Sequence, residues 1–294
     1  MFVSRRLHAD LIFFSFFFSI LFCIFCSLVD NLVSFWVFLE LCSLSIIPSF
    51  FCVGDSNVGG FYNSLLTYIV VSGLSSVFVV VGILFIDLYS FILFGFILKF
   101  GLFPFSLWVY CVFSSSNWFF IFFLSVILKF PVLFFSFLFQ NVSLYIIYCD
   151  CALTILWCTI FFWFFSFNWV FIWCHMSISS VSTLLVACFC SNIDLCFFIY
   201  GYYFFWSVGC MLYFYYMVDV AGGYIIKFWV YCFLLLVTPI SLPLFYKLSV
   251  CLAIFYSSVY VLFIWSLYSF SEQFFLYKLA SDYFYSDVYN CWVV

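Results

Sequence analysis

The sequence predicts an all-α polytopic membrane protein with about ten transmembrane helices. Three observations predict it. Only 6% of the 294 residues are charged and 70% are hydrophobic, against roughly 25% charged in a soluble domain, which excludes a water-soluble fold. The apolar residues fall in runs of the length that crosses a bilayer, about 20 residues as a helix. The connections between the runs are short and polar, with Asp30, Asp87, Asn117, Asn168 and Asp194 among their residues. The net charge of −4 is small and no basic patch is present, so nothing points to nucleic acid.

The elements follow in order. Arg5, Arg6 and His8 precede the first apolar run, and no small-residue cleavage site follows it. This stretch therefore reads as a retained flank of the first helix, not a signal peptide. Helices are predicted at 11–29, 32–53, 61–86, 88–112, 117–139, 142–166, 168–190, 195–218, 225–254 and 256–277. The ninth is too long for one straight span and contains Pro239 and Pro243; the fourth contains Gly101 and Pro104. Both are predicted to break, as membrane helices do where protein or a water-filled cavity satisfies the freed backbone groups. Residues 1–277 form one transmembrane domain, and 278–294 a polar, Tyr-rich surface tail.

The helix count fixes sidedness. Basic residues outside the membrane cores are Arg5, Arg6, Lys227 and Lys278, and ten helices put all four on one side. The opposite turns carry Asp30, Asp87 and Asp194. The positive-inside rule then places both termini on the matrix or cytoplasmic face.

Phe occurs 52 times and Cys 16 times. Phe, Cys, Leu and Val share uridine-rich codons, so the bias fits a T-rich organellar genome. Cys23 and Cys26 form a CxxC and Cys188 and Cys190 a CxC, but no His or carboxylate converges on either, so no metal is expected. There is no GxGxxG, P-loop or triad spacing. No site for NADH, flavin, iron–sulfur or quinone is expected, and any redox chemistry belongs to partners.

Chemistry points to four charges inside apolar runs: Glu40, Lys99, Lys129 and Lys247. A lysine at the centre of a membrane helix costs roughly 2.5–3.5 kcal/mol on insertion scales, and such residues usually serve transport or a buried pairing. Burial penalises the charged form and a close partner opposes that penalty, so such groups can be poised to exchange protons. A Glu40–Lys99 ion pair is the first expectation. The plainer reading is static ion pairs that only hold helices together. Asp150 is expected near the interface, and His175 to be a hydrogen-bonded helix residue.

These charged segments resemble subunit 2 of the mitochondrial NADH:ubiquinone oxidoreductase, respiratory complex I. The resemblance rests on Trp36, Glu40 and Pro48; on Lys99, Gly101, Pro104-Phe105-Ser106 and Trp108; on Lys129 and Pro131; on Ser179-Ser180-Val181; and on Pro239, Pro243 and Lys247. The matches keep their order across residues 36–247. Two family histidines are replaced, by Ser106 and Thr183. His175 stands eight residues before Thr183, about 12 Å along a helix, too far to substitute.

The resemblance implies two inverted five-helix repeats, at about 11–139 and 142–277, each with one broken helix. It implies a chain that begins at the family's fourth helix and stops short of its last. It implies the mitochondrial inner membrane, matrix-facing termini and other complex I membrane-arm subunits as partners. The implied function is proton translocation coupled to NADH-to-ubiquinone electron transfer. Glu40 and Lys99 would be the coupling pair, Lys129 a central relay and Lys247 the far-side proton site. The rival readings are sibling subunit 4 or 5, a free-standing cation/proton antiporter, and a structural subunit that no longer pumps.

Overall fold

The computed structural model describes residues 2–51, 58–138, 144–166, 168–219 and 224–284. The connections predicted at 54–60, 140–141 and 219–223, and the tail from 285 on, lie wholly or partly outside these residues. The described residues form thirteen α-helices and no strand. In order they are α1 (Phe2–Ser27), α2 (Leu32–Phe50), α3 (Val58–Leu84), α4 (Ser90–Phe100), α5 (Leu107–Ser114), α6 (Trp118–Ser125), α7 (Phe130–Leu138), α8 (Leu144–Phe165), α9 (Trp169–Cys190), α10 (Ile193–Asp219), α11 (Tyr224–Leu234), α12 (Leu242–Phe255) and α13 (Val259–Phe284).

Among the described residues, eight spans are long and apolar enough to cross a membrane, counting α6 and α7 as one. The two segments predicted to break are α4–α5 and α11–α12. Both halves of the first pack along α3, and both halves of the second pack on α10 and α13, so each pair continues one crossing. The chain is thus an all-α polytopic membrane protein, and every predicted helix has its counterpart. The last helix runs on to Phe284 instead of ending at 277. Its packing stripe explains this: Leu276 and Ala280 are both buried, four residues apart, so the face that holds α13 to the bundle extends past the predicted end.

The outer surface is apolar, with Phe13, Phe17, Phe205, Phe263 and Phe270 largely exposed, as suits contact with lipid. Polarity is reserved for the interior. At its centre stands α9, buried at every residue from Ile172 to Ala187 although this stretch holds five serines or threonines. Apolar burial gives helices little reason to associate in lipid, so packing and small residues hold the bundle. A Cβ on Gly95 would stand 2.9 Å from Ser75 O, which is how closely α4 approaches α3.

The breaks have local causes. Gly101 ends α4 at φ 67°. Leu102 N–H bonds to Ile97 O and Gly101 N–H to Leu98 O, the paired bonds of a Schellman stop. Trp108 Nε1 also donates to Leu98 O at 3.0 Å. Gly101→Ala should therefore destabilise the protein. The left-handed backbone costs a side-chain residue about 1 kcal/mol or more, and the new Cβ would lie 2.2 Å from Val109 Cγ2. A lower thermal midpoint of the solubilised protein checks this.

The second break spans the residues between α11 and α12. Gln273 on α13 holds it from both sides: its Oε1 accepts from Val237 N–H at 2.8 Å and its Nε2 donates to Leu235 O at 3.4 Å. Trp206 Nε1 donates to Leu234 O at 2.7 Å. The freed backbone groups of a broken membrane helix need such partners. Gln273→Leu leaves Val237 N–H and Leu235 O without them. It should cost about 1–3 kcal/mol for the buried unsatisfied groups, read as a lower thermal midpoint than Gln273→Glu, whose carboxylate still accepts from Val237.

A third interruption was not expected. Between α6 and α7 the chain tightens into a 3₁₀ turn, Ile127–Lys129. Pro131 explains it, because proline lacks an N–H and its ring excludes the carbonyl four residues back. Three tyrosine and cysteine side chains close the loosened carbonyls. Tyr203 Oη donates to Ser125 O, Tyr200 Oη to Val126 O, and Cys23 Sγ to Ile127 O.

Candidate functional site

The candidate site is a line of charges at the middle of the bundle. At about 1.5 Å per residue, Glu40, Lys99, Lys129 and Lys247 each lie roughly 10–20 Å from the nearest end of their spans. A fifth charge shares that depth: Glu272, midway along α13. The sequence reading did not select it.

Glu40 on α2 and Lys99 at the end of α4 form the expected ion pair, with Nζ–Oε1 at 2.5 Å. Lys99 sits in the last turn of α4, where the negative end of the helix dipole favours a cation. Ser43 donates to Glu40 O at 2.8 Å and approaches Glu40 Oε2 at 3.4 Å.

Lys129 is different. It is 2% exposed, and among the described residues no carboxylate is in ion-pair contact with it. Its Nζ donates to Ser177 O at 2.9 Å, Ser180 Oγ at 2.6 Å and Tyr203 Oη at 2.8 Å, three acceptors for the three hydrogens of an ammonium. The Tyr203 ring adds a cation–π contact at 4.2 Å. A neutral amine would fit as well, because Ser180 or Tyr203 can turn its hydroxyl to donate to the lone pair. The break at Ile127–Lys129 points the side chain at α9 and α10.

Lys247, one turn past the second break, pairs with Glu272 at 3.3 Å. The contact lacks hydrogen-bond geometry, and Lys247 Nζ has no hydrogen-bond partner among the described residues. Glu272 is 4% exposed. Its Oε1 lies 3.4 Å from Gln273 Nε2, so it borders the clamp on the second break.

Small cavities separate the three lysines. One of about 30 Å³ is lined by both Lys99 and Lys129, with Ser125 and Ser177 at its wall. One of about 10 Å³ lies between Lys129, Tyr203 and Tyr246. One of about 20 Å³ is lined by Ser179, Ser180, Thr183, Lys247, Tyr268 and Glu272. A water needs roughly 10–15 Å³ of such space, so the larger two have room for one or two. Ser180 touches Lys129 and borders both smaller cavities.

The remaining expectations fall as follows. His175 is fully buried, its Nδ1 2.7 Å from Tyr110 Oη, and so is a hydrogen-bonded helix residue; its Nε2 has no partner among the described residues. Asp150 is partly buried within the first two turns of α8. Ser106 Oγ is buried without a partner among the described residues, and Thr183 donates back to Ser180 O. The Cys23 and Cys42 thiols lie 3.3 Å apart, joining α1 to α2.

Two kinds of residue escaped the sequence reading. Glu272 sits in a run with Ser269, Ser271 and Gln273, close to the predicted end of its helix, and so resembles an interfacial residue. The signal that finds it is the need of Lys247 for a partner. Tyr203 and Tyr246 are two of 22 tyrosines, a background against which neither stands out.

Fold and site together define an all-α polytopic membrane protein with a mid-depth row of paired and hydrogen-bonded charges. The sequence matches no protein-family model and no curated protein sequence. Its fold is similar to that of a chain of the respiratory complex I from Thermus thermophilus with bound aureothin, with a TM-score of 0.69. The match covers 88% of this chain and 67% of that one at 16% identity. At that identity the likeness is one of fold.

Proposed function

We propose that this chain is a core membrane-arm subunit of respiratory complex I, subunit 2 of the mitochondrial enzyme, with both termini in the matrix. In this reading Glu40, Lys99, Lys129 and Lys247 carry protons across the inner membrane, driven by electron transfer from NADH to ubiquinone in partner subunits. The two broken crossings, α4–α5 and α11–α12, belong to two inverted repeats.

The observation that carries the reading is Lys129. A carboxylate partner accounts for the burial of Lys99 and of Lys247, but not for that of a lysine with only hydroxyls and a carbonyl as its partners. Its surroundings accept it charged or neutral, and cavities part it from the paired lysines on either side. That is the arrangement a relay needs: a proton arriving at Lys129 alters the field on each neighbouring pair, and so couples the sites electrostatically.

The test is mass spectrometry of the native membrane assembly that contains this chain. Co-purification with flavin- and iron–sulfur-bearing NADH dehydrogenase subunits is the expected result. A small homo-oligomer without redox partners would favour a free-standing antiporter instead.

A further inference from the structure

We infer that Glu272 is a second proton-exchanging carboxylate of this subunit: it accepts the proton that reaches Lys247 and releases it toward the Val259 end of α13. The inference rests on the reading above and extends it to a residue outside the four charges named there.

The geometry of the third cavity carries it. A pair that served only to staple α12 to α13 would be packed and hydrogen-bonded. Here Lys247 Nζ stands 3.3 Å from Glu272 Oε2 without hydrogen-bond alignment, and Tyr268 Oη beside them also lacks a partner among the described residues. Buried polar groups are satisfied by protein or by ordered water, and these two border a cavity of about 20 Å³. A water there would reach an ammonium, a carboxylate and a phenol at once.

The cavity also has a direction. On one flank is Ser180, which accepts from Lys129 Nζ at 2.6 Å. On the other are Ser269 and Trp265, one and two turns along α13 toward Val259 and both partly exposed. An even number of crossings separates that end of α13 from the turns carrying Asp30, Asp87 and Asp194. Glu272 therefore stands between the relay lysine and the acidic side of the protein. The layout repeats the first end of the row, where a lysine beside a broken helix also meets a carboxylate from another helix.

The step balances without any co-reactant. An N–H bond of the Lys247 ammonium breaks and an O–H bond forms on Glu272, which leaves a neutral amine and a neutral acid. Glu272 then gives its proton to water on the Trp265–Ser269 flank. Lys247 regains one from Lys129 by way of Ser180, Lys129 takes its own from water in the cavity it shares with Lys99, and the residues return to their starting state.

The experiment uses membrane vesicles that contain the whole assembly, with protons translocated per NADH oxidised as the readout. Glu272→Gln should lower this ratio as far as Lys129→Met does, and Glu272→Asp should keep at least half of the wild-type value. If Lys129→Met loses translocation while Glu272→Gln keeps it, the inference is overturned and the proposed function stands. If both keep it, the proposed function falls and the inference with it. A second measurement needs no variant and so survives a failure to assemble. Dicyclohexylcarbodiimide adds to carboxyls that are protonated in apolar surroundings. Mass spectrometry should find the adduct on Glu272, forming faster while NADH is oxidised. A Glu272 peptide recovered unmodified during turnover overturns the inference, since a permanently ionised staple would behave so.

Discussion

Replacing Lys129 by methionine is expected to abolish the proton translocation carried by this subunit while leaving the chain folded and assembled. Both halves follow from the contacts. Removing the ammonium strands no buried group, because its three acceptors have other partners. Ser180 donates to Ser177 O at 2.7 Å, and Tyr203 donates to Ser125 O at 3.3 Å. Methionine is long, unbranched and apolar, so it fills the lysine's channel with little strain. The stability change should stay within about 1 kcal/mol, the range of a well-tolerated volume-conserving exchange. Translocation, by contrast, loses the one charge between two cavities. Lys129→Arg sharpens the test. Arginine keeps the charge and the donors but does not give up its proton in proteins, so it too should fail if protons pass through this position. Native gels report assembly and a pH-sensitive dye in inverted vesicles reports translocation. Full translocation in the methionine variant would establish a structural subunit that no longer pumps.

What could be read from the sequence has a physical boundary. The bilayer imposes length and polarity on every span, so ten segments and two broken ones were legible from composition, Pro and Gly alone. The Glu40–Lys99 pair was legible because a buried charge needs a partner and each was conspicuous in an apolar run. The third interruption was not. Pro131 announces it, but only the tertiary contacts with Tyr200, Tyr203 and Cys23 decide that the helix tightens there instead of bending. Glu272 was hidden by its polar neighbours, one of which, Gln273, is polar for its own reason as the clamp on the second break. The hydroxyl wall around Lys129 was half visible, in Ser179-Ser180, and half lost in the abundance of tyrosine. Side chains that act as partners are found by geometry; side chains that act as charges are found by their cost.

The Glu40–Lys99 pair yields the other large effect, and it separates holding from pumping. Glu40→Ala should destabilise the subunit by about 3–5 kcal/mol, because breaking a buried pair leaves one charge uncompensated. Lys99 is 7% exposed at its side chain, with Glu40 Oε1 its ion-pair partner at 2.5 Å, so little solvent stands ready to replace the carboxylate. Lys99→Met should cost less, since the remaining Glu40 is 19% exposed and still has Ser43 beside it. The double variant Glu40→Gln/Lys99→Met removes both charges and should recover most of the lost stability, as replacing a buried pair by neutral groups of similar volume often does. Thermal unfolding of the solubilised assembly measures this cycle, with a coupling of a few kcal/mol expected for two groups in direct contact. If the pair only joins α2 to α4, translocation returns together with stability. If its charges are part of the coupling, stability returns and translocation does not, because a neutral pair cannot pass a change of field on to Lys129 across the cavity they share.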